Sequence, residues 1–163
     1  MVRALDDIRI LDLTHFYNGP YATLVLSFLG AEVIKIEPPR HGERARTIFP
    51  IRDADNESYP FVMLNSNKKG ITLNLKSARG KELFKELVKD VDVVVDNFAL
   101  GVMDKLDLGF ETLKQKNPQL VYASSTGYGR SGPYSTFPAF DPVIQAMVGL
   151  MSTTGFPDGP PVK

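Results

Sequence analysis

Residues 127–132 read GYGRSG and satisfy the spacing G-x-G-x-x-G letter for letter. That spacing can bend the chain at a strand end so that the first amides of a following helix hold a pyrophosphate. Here Pro133, Pro138 and Pro142 follow, and prolines so spaced forbid a helix directly after the motif. The motif also belongs to a late strand, with no acidic strand end suitably placed downstream. The glycines are therefore read as turn residues that let the backbone bend, not as a nicotinamide site.

The other residues with chemical potential each have two readings. His15 and His41 are the only histidines. His15 follows the first strand and is either a general base or a local hydrogen-bonding group, and His41 pairs with nothing visible. No G-x-S-x-G supplies a nucleophile elbow, and neither histidine belongs to an H-E-x-x-H or similar metal-ligand cluster, so no metal is expected. Asp141, in FDPVIQAMVGLM, is either a working carboxylate or an N-cap with Pro142 at the first helical position; the capping preference favours the second. Asp96 sits at a strand end. Lys68, Lys69, Lys76, Arg40, Arg44 and Arg46 surround the third strand, either as solvated surface or as charge-assisted contacts to a phosphate-rich ligand. Asn97 and Phe98 offer an amide and a ring that could recognise and stack a purine, or Phe98 closes the core.

The elements that position these residues alternate between strand and helix. IRILDL (8–13), EVIKIE (32–37), GITLNL (70–75), VDVVVDNF (91–98) and LVYASSTGYG (120–129) read as strands. YATLVLSFL, opened by Pro20 and stopped by Gly30, and SARGKELFKELVKDV read as helices, with two short helices near Val102–Leu106 and Glu111–Lys116. The stretch from Pro38 to Pro60 is polar and irregular. No repeat, low-complexity tract or clear linker interrupts the chain. Strands separated by helices imply right-handed crossovers: an α/β fold with a Rossmann-like, mostly parallel sheet and helices on both faces. In such sheets ligands sit outside the carboxyl ends of the strands, where THFYNGP, DNFALG and STGYGRSGP are richer than a connection requires.

The bulk composition narrows the classes. The 163 residues fit one ordinary domain with a real core. Cysteine is absent, which excludes disulfides and thiolate metal sites and agrees with a cytoplasmic setting. Nineteen basic residues balance nineteen acidic ones, so no global field draws nucleic acid or an anionic membrane, and neither is an expected partner. The start, MVRALDDIRIL, lacks the apolar segment of a signal peptide.

Several stretches together carry a resemblance: DLTHFYNGPYATLVLSFLGAEVIKIEPP, LNSNKKGITLNLKS, GKELFKELVKDVDVVVDNFALGVMDKLDLGFETLKQKNPQLVYASSTGYGRSGP and FDPVIQAMVGLMSTTGFPDGPP. In order and nearly without gaps, they resemble the family III coenzyme A transferases, the group of formyl-CoA, carnitine-CoA and succinyl-CoA-dependent enzymes. The resemblance implies an enzyme whose substrates are acyl-CoA and a carboxylic acid, with no permanently bound cofactor. It implies a large Rossmann-like domain followed by a smaller one, in a homodimer whose chains interlink. Residues 1–163 would be the N-terminal part of that large domain, without the second domain.

The resemblance also implies a CoA pocket. His15, Phe16, Tyr17 and Asn18 would line it on the first loop, with Leu73 and Lys76 beside the nucleotide. Asn97, Phe98 and Lys105 match pocket positions, and Arg46 matches a recurrent arginine of the second-strand loop. The chain departs from the formyl-CoA branch at Pro38, where an arginine is expected, and near Pro138, where a lysine is. Phosphate contacts are not carried over there, and Arg40 is the nearby cation. The family's nucleophile is an aspartate that forms an aspartyl-CoA intermediate. It is expected after Lys163, so no catalytic residue is assigned within the chain, and the chain alone is expected to be inactive. Two alternatives remain: a 2-methylacyl-CoA racemase of the same superfamily, which would need a histidine near the GYG turn, and a non-catalytic CoA-binding or dimerisation module.

Overall fold

The computed structural model describes residues 2–48 and 58–162. They form two compact units, Met1–Ser125 and Thr126–Lys163. The first unit opens with β1 (Arg9–Asp12), α1 (Asn18–Phe28), β2 (Glu32–Glu37), α2 (Ala45–Ile48), α3 (Tyr59–Asn65) and β3 (Lys69–Thr72). It continues through α4 (Ala78–Val88), β4 (Val93–Asp96), α5 (Val102–Lys105), α6 (Phe110–Lys114) and β5 (Val121–Ser124). All neighbouring strands run parallel, in the order β3-β2-β1-β4-β5. This is the doubly wound order, in which the chain reverses direction across the sheet between β1 and β4.

Strand period two divides the sheet between two covers. Leu11, Val94 and Ile36 point to one face and pack with Phe84 and Val88 of α4, Met103 of α5 and Leu113 of α6. Ile10 and Val33 point to the other and pack with Ala31 and with Leu26 of α1. The expected sheet with helices on both faces is the observed one. Ile10 pairs in register with Val33, and one pleat further on Asp12 pairs with Lys35. The α1 face is apolar at the amino ends of the strands and charged at the carboxyl ends.

The elements differ from the sequence expectation mainly at their ends and in one omission. β2 has the expected bounds, while the strand expected over 70–75 starts at Lys69 and stops at Thr72. Pro20 is the third helical residue rather than the first, still within the turn where a missing N–H costs nothing. The irregular stretch from Pro38 contains α2 and runs into α3; residues 49–57 lie outside the described residues. Helix α3 was not anticipated. Its N-terminus nonetheless has a local signature, because Ser58 Oγ accepts the Phe61 N–H and Pro60 sits in the first turn.

The second unit begins where the last predicted strand was expected to continue, since β5 ends at Ser124 and turns follow. Gly127 is a close-approach glycine: a Cβ there would lie 1.9 Å from the Cβ of Ala139. Tyr134 packs against the rings of Tyr128 and Phe137. No helix follows GYGRSG until α7 (Asp141–Met147), as the prolines dictate. Asp141 was expected as the N-cap. Phe140 takes that position, and Asp141 is the first helical residue, its carboxylate accepting Gln145 Nε2 at 2.8 Å. An acidic group there still complements the helix dipole.

Candidate functional site

The strand order reverses at the carboxyl ends of β1 and β4, the place where sheets of this order form a ligand crevice. Its two lips are the segment after Asp12 and the segment after Asp96. They are tied together. The His15 N–H donates to Asn97 Oδ1 at 2.8 Å, and Asn97 Nδ2 donates to the His15 carbonyl at 2.8 Å. The rings of His15 and Phe98 lie 5.2 Å apart. Asp96 fixes the second lip by accepting the Phe98 N–H at 3.0 Å.

Beneath the first lip lies a network of buried ions. Lys68 Nζ reaches Asp12 Oδ2 at 3.0 Å, with side chains 1% and 0% exposed. It also donates to the Pro20 carbonyl, Thr23 Oγ1 and Asn65 Oδ1. Asp12 in turn accepts the hydroxyls of Thr14 and Thr23 and the Thr14 N–H. Lys35 Nζ lies 2.8 Å from Glu43 Oε2 and donates to the Thr14 carbonyl at 2.8 Å. Arg46 meets Glu37 through both Nε and NH2, and its guanidinium stacks 3.7 Å over the Phe61 ring. Three carboxylates thus face three cations, the arrangement that buried charge requires.

The environment sets the protonation of these groups. Burial pushes the Asp12 carboxyl up, but Lys35, Lys68 and the two hydroxyls outweigh it and hold it below its usual value. Burial likewise raises Glu37, and the Arg46 guanidinium and Glu43 amide more than reverse it. Burial lowers Lys68 despite the pull of Asp12. Burial also lowers His15, and the carboxylate of Glu43 does not compensate, so the imidazole is neutral at pH 7.

His15, Asn97 and Phe98 come together at the crevice; Phe16, Tyr17 and Asn18 continue the first lip, exposed, into the start of α1. Phe16 holds a left-handed backbone, φ 63°. Arg46 is engaged with Glu37. Leu73 is half-buried against the core and donates its N–H to the Glu37 carbonyl at 2.9 Å. Lys76 and Lys105 are exposed, and among the described residues no ion pair holds either ammonium. Lys68, expected among surface cations, is instead buried. Asp12, Lys35, Glu37 and Glu43 were not singled out. A signal existed: in EVIKIE, Lys35 and Glu37 share the face of Val33, and a parallel sheet covered on both sides leaves that face no solvent.

Among the described residues no cluster of three or more His, Asp or Glu could hold a metal ion. Also among them, no helix is long and apolar enough to cross a membrane.

A switch-point crevice without a phosphate-binding glycine loop, closed by an asparagine clamp over buried ions, defines a class that comparison with known proteins resolves. The description "CoA-transferase family III" matches residues 5–163, and the chain belongs to that family. It is 47% identical over 158 residues to the acetyl-CoA:oxalate CoA-transferase of Acetobacter aceti, across 97% of this chain and 40% of that protein. It is 50% identical over 161 residues to the formyl-CoA:oxalate CoA-transferase of Streptomyces coelicolor, across 98% of this chain and 38% of that one. A succinyl-CoA:mesaconate CoA-transferase of Haloarcula marismortui is 44% identical, across 98% of this chain and 42% of its own. Among solved structures, a CaiB/BaiF family protein from Brucella suis superimposes with a TM-score of 0.93 at 40% identity, across 99% of this chain and 43% of that one. The chain spans about two-fifths of the length of these relatives.

Proposed function

We propose that the full-length protein moves coenzyme A from an acyl-CoA thioester to a small dicarboxylic acid. The observation that carries this reading is the family match over residues 5–163, together with the oxalate and mesaconate enzymes among its relatives. In this reading CoA lies along the crevice. His15, Phe16, Tyr17 and Asn18 line it on the first lip, Asn97 and Phe98 hold the opposite lip, Leu73 and Lys76 lie beside the nucleotide, and Lys105 is in the same pocket. Arg46 acts through Glu37 unless CoA phosphate draws it away.

The chemistry in this reading is nucleophilic catalysis by an aspartate beyond Lys163. Its carboxylate oxygen attacks the thioester carbonyl and expels the CoA thiolate, leaving a mixed anhydride. The thiolate then attacks the aspartyl carbonyl, the donor acid leaves, and an aspartyl-CoA thioester remains. The acceptor carboxylate attacks that thioester in turn, and the released thiolate takes the acceptor's acyl carbon from the second anhydride. Holding the thiolate close throughout is the pocket's contribution.

An interlinked homodimer in the cytoplasm belongs to the same reading. Tyr21, Val25, Phe28 and Leu29 of α1 and its end, and Tyr59, Val62 and Met63 of α3, are exposed in the single chain and would be covered in such a dimer.

The test is direct. Full-length protein mixed with acetyl-, formyl- or succinyl-CoA and a panel of acids should yield a new acyl-CoA by chromatography, fastest with a dicarboxylate. Mass spectrometry should find an aspartyl-CoA adduct in the full-length protein and none in residues 1–163. Failure to bind or transfer CoA with every donor would refute the reading, and an adduct on Asp141 would overturn the assignment of the nucleophile.

A further inference from the structure

Thr14, His15 and Phe16 carry the chain from β1 to α1 outside any strand or helix. Five of their backbone groups are met by side chains. Asp12 accepts the Thr14 N–H, Lys35 donates to the Thr14 carbonyl, and Asn97 serves both groups of His15. The fifth is the Phe16 N–H, which donates to Glu43 Oε1 at 2.5 Å.

Glu43 is unlike the other three because it comes from the irregular segment after β2. It is 1% exposed, and its other oxygen pairs with Lys35. Its own N–H is fixed on Glu37 Oε2 at 2.7 Å. Gly42 permits that approach, with φ +61° and a would-be Cβ 2.7 Å from the same Glu37 oxygen. Phe16 needs such a hold. A left-handed backbone is uncommon for a bulky residue and persists only where the surroundings over-determine it.

We infer that Glu43 is a positioning residue whose carboxylate fixes Phe16 in its left-handed backbone and so sets how His15 to Asn18 are presented to the ligand. The ligand half rests on the CoA reading; the loop half does not. The competing view is that Glu43 serves only as the counter-ion of Lys35.

Two double variants of the full-length protein separate these. Lys35→Met/Glu43→Gln and Lys35→Met/Glu43→Leu both remove the ion pair as a unit, so neither strands a buried charge. Only the glutamine keeps an oxygen that can accept the Phe16 N–H. Hydrogen exchange in the unliganded protein should show the Phe16 amide exchanging roughly tenfold faster in the leucine variant than in the glutamine variant, the worth of one hydrogen bond. The KM for acyl-CoA should rise by a similar factor between the two, with kcat changing less. Equal Phe16 exchange in both variants overturns the proposal. Unequal exchange with equal KM overturns the link to the ligand. If the wild-type protein binds no CoA, the CoA reading fails, while the exchange comparison still decides the role of Glu43.

Discussion

Asn97 grips both backbone groups of His15, eighty-two residues earlier in the chain, with hydrogen bonds of 2.8 Å each. With the ring contact of His15 and Phe98, these bonds join the two lips of the crevice. Asn97→Ala leaves a donor and an acceptor without partners in a half-buried loop, at a cost of about 1–3 kcal/mol in unfolding free energy. Asn97→Asp keeps the acceptor and loses the donor, so it should fall between. Denaturant titration of the three proteins checks the order.

Lys68→Met should destabilise the fold by roughly 3–5 kcal/mol, because it abandons the Asp12 carboxylate in the interior. Adding Asp12→Asn to the same protein should recover much of that loss. A double variant less stable than Lys68→Met alone would show that Asp12 is held mainly by Thr14 and Thr23.

Stability should fall with acid in two windows. His15 has a folded pKa below its usual 6.5, so the unfolded chain takes up the proton first as pH drops below that value. Asp12 and Glu37 have folded values below 3.8 and 4.5, and there too the unfolded state binds more protons. In each window stability rises with pH and is lost as pH falls through the folded value. Melting temperature followed from pH 8 to pH 3 should show both declines, and His15→Gln should remove the upper one.

Gly19→Ala would ordinarily favour a helix by up to about 1 kcal/mol. Here the new methyl would sit 2.3 Å from Thr14 Cβ, and Thr14 is tethered to Asp12. Overpacking of about 1–3 kcal/mol should win, and the variant should melt below the wild type.

The fold was legible where local pattern suffices. EVIKIE is a short β-branched run bounded by glutamates and has its observed bounds, and Gly30 stops α1 with φ +120°. Helix α3 was missed because YPFVMLN is too short to show a helical period. The burial of Lys68 was invisible because its partner Asp12 lies 56 residues away and nothing local distinguishes it from Lys69, which is exposed. Asn97 was legible as a strand-end amide, but not as a clamp on His15, since that role depends on strand order. Glu43 escaped for the same reason: only the folded β2 segment brings it to Phe16.

The three buried carboxylates at the mouth of the sheet are cancelled by the buried ammonium groups of Lys35 and Lys68 and the half-buried guanidinium of Arg46, and the whole chain is neutral as well. Such a site casts little field into solvent. An approaching polyanion would be steered only by surface ammonium groups such as Lys76 and Lys105, over a reach of about 8–10 Å at physiological salt. In the CoA reading, encounter with the full-length protein should therefore slow as ionic strength rises, while the lifetime of the bound state changes less.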